Sequence, residues 1–509
     1  MDQATAEAAG ELLLVRLSGD FGTKARPTAA RFRARLAHNL ADALETAGVP
    51  ARVQPTRSRI FLRAMGPGAA EAAAHVFGVQ SVSSAVERPA PSVEAVVEAG
   101  ERLFGDAVRG LRFAVRCRLV GDRSQVPFQR RDVERALGAR LLPRSAGVDL
   151  ERPELTARVE IHGGRAFFFT DQLPGPGGLP LGVEGRAVAL LSGGFDSAVA
   201  AWQLLRRGVA LDFVFCNLGG AAHERGVLRV AHLLTARWCH GDRPRLHAVD
   251  FQPLAEELQA KTERRYWQVL LKRGMLRAAE QVARERRALA IVTGEAVGQV
   301  SSQTLTNLAV ISRATELPIL RPLVGSNKDE IVEAAKRIGT HDLSRNVAEY
   351  CALTTKRPAT EARLEAVLAE EAKLDPELLP RLVAERAVLD LHGLDPDARC
   401  APDLEIDEMP EDATVLDLRS RAAFAAWHWP GALRVELASA LEACAGFDTS
   451  RRYVAVCEFG LKSALLAERM RRAGLRAQHW KGGSRALLRY AKERRLAEPA
   501  LLAPAVRQD

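Results

Sequence analysis

The sequence lacks any apolar run long enough to span a bilayer, although 47% of its 509 residues are hydrophobic. Its first residues, MDQATAEAAGELLLVRL, also lack the basic leader of a secretory signal. The seven cysteines are scattered without a CxxC pair, which argues against both a disulfide scaffold and a zinc site. We therefore expect a cytoplasmic protein with no membrane association.

Positive charge is in excess, with a formal net charge of +9. A basic surface gains affinity for nucleic acids because it displaces condensed counterions from phosphates, although an arginine-rich composition gives the same excess without such a partner. The N-terminal segment concentrates basic residues around a single acid, Asp20: Arg16, Lys24, Arg26, Arg31, Arg33 and Arg35. Such a cluster forms either a solvated face or a surface for a phosphate backbone.

The stretch LRFAVRCRLVG predicts a strand with one apolar and one basic face, because successive side chains of a strand point to opposite sides. The apolar positions are Phe113, Val115, Cys117 and Leu119, and the basic ones are Arg112, Arg116 and Arg118. This alternation indicates a nucleic-acid surface, and a solvent-exposed sheet face is the alternative.

Length predicts about three or four domains. Residues 1–70 and 71–172 each mix helix and strand patterns, which indicates two α+β domains. The run DQLPGPGGLPLGVEG, rich in glycine and proline, is interpreted as an interdomain linker. Over 180–395, apolar strands alternate with amphipathic helices and predict a doubly wound parallel sheet. A charged helical bridge then leads to a smaller α/β domain at 403–500.

The stretch LLSGGFDSAVA sets two glycines between an apolar strand and a helix. Such a turn leaves backbone N–H groups free, lets a phosphate approach without a Cβ in the way and directs the helix dipole at it. It lacks the lysine of G-x-x-x-x-G-K-[ST], which excludes an ordinary kinase or ATPase P-loop. On the residues alone, a phosphate-binding loop and an ordinary turn both stay open.

LLSGGFDSAVA resembles the PP-loop of ATP pyrophosphatases, which adenylate a carbonyl oxygen and release pyrophosphate. The segments GPGGLPLG, TGEAVGQVSSQTLTNLAVI and LRPLVGSNKDEI are similar to one branch, the tRNA 4-thiouridine synthetases, which are tRNA sulfurtransferases that also serve thiamine biosynthesis. The resemblance covers essentially the whole chain. It implies a multidomain α+β and α/β protein with ferredoxin-like, THUMP, PP-loop and rhodanese-like domains in the four ranges above.

The resemblance also implies an ATP site in the third domain. Its residues would be Leu190, Leu191, Ser192, Gly193, Gly194, Asp196, Ser197, Phe215, Cys216, Lys272, Gly294 and Gln303. Asp196 is expected to act near Mg²⁺, and Lys328 matches a functional lysine that would neutralise charge developing on the phosphate. Several of these residues also have a structural interpretation, as core leucines, a packed cysteine or a surface lysine.

YVAVCEFGLKSALLAERM predicts a strand ending at Cys457, a loop with Gly460 and a helix opened by Ser463. A thiolate needs such a setting of free N–H groups at a helix N-terminus. The segments VLDLRSRAAFAAWHWPGALRVEL and HWKGGSRALL resemble a rhodanese domain, with Lys462 where many rhodaneses have arginine. This resemblance makes Cys457 the expected persulfide carrier.

The family also implies a second catalytic cysteine, Cys351 in VAEYCALTT, which would form a disulfide with Cys457. The remaining cysteines outside the proposed sites are interpreted as structural: Cys117, Cys239, Cys400 and Cys444.

The implied reaction is ATP-dependent and acts on uridine 8 of tRNA. The base would be adenylated at O4 and would receive the persulfide sulfur of Cys457 to give 4-thiouridine. Expected partners are tRNA, a cysteine desulfurase that loads Cys457 and a cellular thiol reductant that reopens the disulfide. A role as sulfur carrier for the thiamine thiazole and a homodimer are also consistent with the family.

Three other functions stay open at this point. The chain could serve chiefly thiamine thiazole synthesis, or it could be a non-catalytic RNA-binding protein. It could also be a PP-loop ligase or amidotransferase acting on a small molecule, but that function leaves the basic N-terminal half without a role.

Overall fold

The computed structural model describes residues 10–121, 126–347, 357–396, 404–458 and 460–494. They form two compact units. The first unit comprises Met1–Arg186, Gln203–Ala210 and Thr235–Arg243, and the second comprises Ala187–Trp202, Leu211–Leu234 and Pro244–Asp509. Each unit is built around two sheets, so the described chain contains four sheets. This architecture agrees with the predicted multidomain α+β and α/β class, which is confirmed.

The first sheet has the strand order β10-β4-β1-β3-β2. Its strands are β1 (Glu11–Leu17), β2 (Ala51–Pro55), β3 (Arg59–Ala64), β4 (Val79–Ser84) and β10 (Leu173–Pro174), with helices α1 (Arg26–Thr46) and α2 (Ala69–Ala74). β1 pairs antiparallel with both β3 and β4. The sheet therefore continues past residue 70, where the sequence predicts the first domain to end.

The glycine- and proline-rich run interpreted as a linker is packed against the first unit instead. Gly175 donates its N–H to Gln80 O at 3.0 Å, and Leu179 donates to Arg206 O at 2.9 Å. A Cβ at Gly175 would overlap the carbonyl of Val79. The glycines are explained by this close approach of two backbones and not by a need for flexibility.

The second sheet has the order β5-β9-β8-β6-β7. Its strands are β5 (Val86–Pro89), β6 (Arg112–Val120), β7 (Gly147–Val148), β8 (Leu155–His162) and β9 (Arg165–Phe169), and its helices are α3 (Val93–Phe104) and α4 (Arg130–Leu141). Strand β6 shows the predicted alternation, because Phe113, Val115 and Cys117 are buried while Arg116 and Arg118 are exposed.

The third sheet has the order β15-β14-β11-β12-β13-β16. Its strands are β11 (Arg186–Leu190), β12 (Ala210–Asn217), β13 (Arg245–Asp250), β14 (Ile291–Val292), β15 (Ile319–Leu320) and β16 (Ala387–Asp390). β11 pairs parallel with β14, β12 with β13, and β14 with β15. The carboxyl ends of these parallel strands are where a doubly wound sheet places its ligand.

Nine helices accompany this sheet within the described residues. They are α5 (Phe195–Arg206), α6 (Gly220–Trp238), α7 (Gln252–Lys261), α8 (Trp267–Glu285), α9 (Leu305–Ser312), α10 (Lys328–Ile338), α11 (His341–Asn346), α12 (Leu364–Glu371) and α13 (Leu378–Ala384). The predicted helical bridge thus supplies α12 and α13, and its continuation adds β16 antiparallel to β13 at the sheet edge.

The fourth sheet has the order β17-β21-β20-β18-β19, and every pairing in it is parallel. Its strands are β17 (Glu405–Ile406), β18 (Ala413–Asp417), β19 (Leu433–Arg434), β20 (Arg452–Val456) and β21 (Arg476–Trp480). The helices are α14 (Arg421–Ala426), α15 (Leu437–Glu442), α16 (Leu461–Arg472) and α17 (Gly483–Glu493).

Candidate active site

The glycine turn between β11 and α5 is held open by a serine. The Ser197 hydroxyl accepts the N–H of Ser192 at 3.2 Å and lies 3.2 Å from the carbonyl of Gly194, to which it donates. Gly193 has φ +79°, and a Cβ there would come within 3.0 Å of the Val347 side chain. The turn is therefore preorganised, with the N-terminus of α5 directed at an anion that enters it.

An ion pair lies at the entrance of this turn. Asp196, in the first turn of α5, has its carboxylate 3.0 Å from Nζ of Lys328 and 2.9 Å from Nε2 of Gln299. Lys328 is the first residue of α10, whose N-terminus is fixed by a capping box between Asn327 and Glu330. The structure thus brings together the two charged residues that the sequence assigns to phosphate chemistry.

Glu295 connects three segments beside the turn. Its carboxylate lies 2.9 Å from Nζ of Lys272 and 2.8 Å from Nε of Arg321, and it also accepts from the Thr293 hydroxyl at 3.1 Å. Burial raises the pKa of Glu295, but the two cations outweigh this effect and hold the pKa below its ordinary value. An ionised Glu295 therefore fixes the position of Lys272, a predicted ATP-site residue.

Gly294 and Gln303 have different roles in the site: Gly294 permits close packing, and Gln303 presents a polar atom. A Cβ at Gly294 would lie 2.6 Å from the carbonyl carbon of Asp196 and 2.7 Å from the amide N of Ser197, so only glycine lets this segment approach α5. Gln303 is 9% exposed, and its Oε1 has no hydrogen-bond partner among the described residues. An unsatisfied buried acceptor at a predicted nucleotide site fits a ligand that supplies a donor.

Four predicted residues at the ends of β11 and β12 form the wall of the site. Leu191 is buried and donates its N–H to Val214 O at 2.9 Å, and Leu190 packs partly buried against the core. Phe215 is buried, and burial raises the pKa of the Cys216 thiol, which is consequently protonated. These side chains shape the site and do not supply a nucleophile.

His223 was missed by the sequence analysis. Its ring packs edge-on against Phe215 with centroids 5.0 Å apart, and its Nε2 lies 3.3 Å from the carbonyl of Ser192, to which it donates. Burial lowers the pKa of His223, so the ring is neutral at neutral pH. It supports the glycine turn from the side of α6.

Cys457 lies directly after β20 in a pocket of donors. Its Sγ accepts the N–H of Gly460 at 3.1 Å and that of Ser463 at 3.4 Å, and the Ser463 hydroxyl is 3.3 Å away. Gly460 adopts φ +89° and caps the N-terminus of α16. The side chain is 4% exposed, and its sulfur is surrounded by these donors at a helix N-terminus.

A buried ion pair stabilises the domain that carries Cys457. Arg419 contacts the carboxylate of Asp417 through Nε at 3.0 Å and through Nη2 at 2.6 Å, and its Nη2 also donates to Trp427 O. Asp417 is the last residue of β18, which pairs directly with β20. Asp417 and Arg419 therefore support the strand that leads into the cysteine loop.

Three further cysteines lie within the described residues, namely Cys117, Cys239 and Cys444. Burial raises the pKa of Cys117 to about 12, and it also raises the pKa of Cys239. Cys444 is half-buried with a raised pKa. Cys351 and Cys400 lie outside the described residues, so the expected Cys351 to Cys457 disulfide stays a prediction.

A basic cavity of about 540 Å³ lies in the first unit. Four arginines contribute to its lining, namely Arg16 on β1, Arg116 and Arg118 on β6, and Arg158 on β8. Nη2 of Arg16 and Nε of Arg158 are buried without a hydrogen-bond partner in the described part of the chain. Four guanidinium groups around one cavity favour an anionic ligand.

The chain matches four family models. They are the ThiI ferredoxin-like domain over residues 12–83, the THUMP domain over 92–171, the thiamine biosynthesis protein ThiI over 182–375 and the rhodanese-like domain over 404–489.

Curated relatives match over nearly the whole chain. The tRNA sulfurtransferase of Pyrobaculum aerophilum is 37% identical over 92% of this chain and 96% of its own length. This chain belongs to the tRNA sulfurtransferase family. The tRNA sulfurtransferase of Pseudomonas aeruginosa is 36% identical over 91% of this chain and 98% of its own. The resemblance derived from the motifs is confirmed.

A solved structure of the family agrees with the fold. It is a 4-thiouridine synthetase in complex with RNA and with bound ATP, 28% identical, with a TM-score of 0.64. The match covers 74% of this chain and 99% of that one.

Besides His223, two further site residues were not predicted from the sequence, Glu295 and Arg321. Glu295 stands in the quoted TGEAVGQ segment, and its acidic position between two predicted site residues was the available signal. Arg321 stands at the start of RPLVGSNKDE. Their roles depend on contacts between segments far apart in the chain, which periodicity does not show.

None of the helices in the described part of the chain has the length and hydrophobicity of a membrane-spanning segment. The same residues contain no group of three or more His, Cys, Asp or Glu side chains that could hold a metal ion.

Proposed function

We propose that this chain is an ATP-dependent sulfurtransferase that converts uridine 8 of tRNA to 4-thiouridine. One observation carries the proposal: Cys457 accepts two backbone N–H groups at a helix N-terminus in the same chain that holds a glycine turn before α5. Neither feature alone specifies sulfur transfer. Together they supply an activated substrate and a sulfur nucleophile.

ATP would bind at the glycine turn and along the ends of β11 and β12. The N-terminus of α5 and its helix dipole suit the phosphates, and the unpaired Oε1 of Gln303 could accept a hydrogen bond from the nucleotide. Mg²⁺ binds through one or two carboxylates together with substrate phosphates. Asp196 would supply such a carboxylate, and Lys328 beside it would neutralise charge as pyrophosphate leaves.

The first chemical step is adenylation of the uracil. O4 of the base attacks the α-phosphorus of ATP, the bond to the β-phosphate breaks and pyrophosphate leaves. The oxygen at C4 is a poor leaving group by itself, and adenylation allows it to leave as part of AMP.

The second step transfers sulfur. The terminal sulfur of the Cys457 persulfide attacks C4, and AMP leaves. The Cys351 thiolate then attacks Sγ of Cys457, which releases 4-thiouridine and forms a Cys351 to Cys457 disulfide. A cysteine desulfurase supplies the persulfide sulfur, and a thiol reductant of the cell supplies the two electrons that reopen the disulfide.

The first unit would hold the tRNA. A-form helices are recognised mainly by shape and by contacts to phosphates, because their deep groove is closed to side chains. The four arginines of the basic cavity suit this mode of binding. We also propose a homodimer, in which the RNA-binding domains of one chain present tRNA to the glycine turn of the other.

Reconstitution tests the function. Purified protein is incubated with unmodified tRNA, ATP, Mg²⁺, cysteine and a desulfurase, and 4-thiouridine is followed by its near-UV absorbance. Cys457→Ser is expected to abolish product while pyrophosphate release continues, and Cys444→Ser is the control that retains both. Full multiple-turnover product from Cys457→Ser, or none from the wild type, contradicts the proposal.

A second role is favoured by the match to a thiamine biosynthesis family model. In this role Cys457 would carry sulfur for the thiazole, and the glycine turn would not be needed. Asp196→Asn separates the two roles, because tRNA thiolation should be lost while sulfur supply to the thiazole continues.

A further inference from the structure

The helix that follows Cys457 contacts the nucleotide domain at a helix N-terminus. Oε2 of Glu468, in α16, accepts the N–H of Ala221 at 2.8 Å. Ala221 is the second residue of α6, where backbone N–H groups have no partner within their own helix and the helix dipole is positive. The Glu468 side chain is 18% exposed, so the contact is largely removed from water.

The neighbouring glycine shows that this contact is close. Gly220 is the first residue of α6 and has φ +70°, a conformation that is unfavourable for residues with a Cβ. A Cβ at this position would overlap the carboxylate of Glu468. The first residue of α6 therefore suits the carboxylate in both its conformation and its size.

Two ion pairs flank the Glu468 contact. Arg469, the next residue of α16, lies 3.1 Å from Glu256 of α7. Arg225 of α6 lies 3.5 Å from Glu405 of β17. Both pairs join the domain of Cys457 to the domain of the glycine turn, so α16 and β17 face a surface of complementary charge.

The space beside these contacts is not filled by side chains. A cavity of about 300 Å³ lies between the two domains and is lined on one side by Leu465, Glu468, Arg469 and Arg472. Asn217 and Asp250, at the ends of β12 and β13, contribute to the other side. An interface built from ion pairs around a cavity with a charged lining resembles those that form and separate reversibly.

The contact links the two chemical centres along the chain. α16 begins directly after the Cys457 loop, and at a rise of about 1.5 Å per residue Glu468 is about 10 Å from the start of that helix. α6 begins three residues after the end of β12, which carries Phe215 and Cys216 of the predicted ATP site. The Glu468 contact thus joins the helix of the sulfur loop to the strand of the nucleotide site.

We propose that Glu468 is a positioning residue that docks the persulfide-carrying domain reversibly on the N-terminus of α6 for sulfur delivery. Release from this contact leaves the Cys457 domain free to meet its sulfur donor. The inference rests on the proposed function for the identity of the delivered group. The docking contact itself does not depend on it.

The experiment separates the three stages of the reaction. Glu468→Gln keeps the size of the side chain and removes its charge, and Glu493→Gln on α17 is the matched control. In a single turnover with persulfide-loaded protein, ATP and tRNA, Glu468→Gln should slow 4-thiouridine formation roughly fivefold, the scale of a carboxylate at a partly buried helix N-terminus. Persulfide loading and pyrophosphate release should keep their wild-type rates.

A charge exchange tests the same surface independently. Arg469→Glu and Glu256→Arg should each slow transfer, and the double variant should restore it, since the ion pair is re-formed with opposite polarity. Both side chains are partly exposed, so neither substitution is expected to unfold the chain. A double variant slower than both single variants contradicts docking through this pair.

Hydrogen exchange measures docking without any chemistry. The amide of Ala221 should exchange faster in Glu468→Ala than in the wild type, and Glu493→Ala should leave it unchanged. Equal exchange in all three proteins, or unchanged or faster sulfur transfer in Glu468→Gln, overturns the proposal. If hydrogen exchange shows docking in the wild type but no 4-thiouridine forms, the proposed function is refuted and the docking contact is still supported.

Discussion

The carboxylate of Asp196 and the ammonium of Lys328 lie 3.0 Å apart although 132 positions separate them in the chain. The helix α5 follows β11 and α10 follows β15, and both strands run parallel with β14, so both helices begin on the side of the third sheet where its parallel strands end. Lys328 is half-exposed, so its ammonium can exchange the carboxylate for a phosphate at little cost. An exposed cation therefore lies beside the glycine turn.

Lys328→Ala should therefore impair adenylation and spare sulfur loading. Removing one donor that stabilises developing charge lowers the rate by about a hundredfold or more. Pyrophosphate release in the presence of tRNA and ATP measures this step, and labelling of the Cys457 persulfide measures the other. Lys336→Ala, on the same helix and paired with Glu333, is the control and should change neither. A similar loss in both assays would point to misfolding.

Gly294→Ala should disable the glycine turn by displacing α5. The new Cβ would meet the backbone of Asp196 and Ser197, which cannot move without moving the helix. Overpacking of this kind costs about 1–3 kcal/mol and shifts the backbone. ATP affinity and the melting temperature should both fall. Gly325→Ala is a matched control, because a Cβ there meets nothing within 4 Å; a wild-type ATP affinity in Gly294→Ala would refute the argument.

Much of the fold could be predicted because the patterns are local. The alternation of Phe113, Val115 and Cys117 with basic residues identified β6, and the strand ending before Cys457 was recognisable from its apolar run. The packing of the glycine-rich run before β11 could not be predicted, because its glycines lie against the backbones of Val79 and Arg206, which are far away in the sequence. Glycine composition does not distinguish flexibility from close packing.

The site could be predicted only in part for the same reason. The glycine turn and Cys457 carry their chemistry in contiguous motifs. Glu295 acquires its role only when Lys272 and Arg321 arrive from other segments, and His223 only when α6 packs beside the turn. Resemblance supplied the ATP-site residues, whose contacts with a nucleotide stay predictions.

Acid should weaken the second unit through His247. The ring is 2% exposed, and burial together with the Arg386 cation lowers its pKa from 6.5 to about 4, with Asp212, Arg286 and Glu285 also nearby. Between pH 6.5 and about 4, the His247 ring consequently binds a proton in the unfolded chain but not in the folded chain. The free energy of unfolding therefore decreases as the pH falls from 6.5 towards 4. The loss amounts to at most about 3 kcal/mol.

Thermal unfolding at pH 7 and pH 5 checks this expectation. The melting temperature of the wild type should fall between the two, and His247→Gln should flatten the decline. His38→Gln replaces an exposed histidine of α1 and should leave the decline unchanged. An equally steep decline in His247→Gln would assign the acid sensitivity to other groups.

The basic cavity should bind tRNA through its phosphates. Arg118 is exposed on β6 and lines the cavity, so Arg118→Ala removes a cation without disturbing a buried pair. The affinity of the Arg118→Ala variant for tRNA should be severalfold lower than that of the wild type at low salt. The magnitude of the slope of log affinity against log salt should decrease by about 0.7–0.9 for each lost phosphate contact. Filter binding at several salt concentrations gives both values. Arg485→Ala, an exposed arginine of α17, is the control; equal slopes for the two variants would show that the cavity does not hold the phosphates.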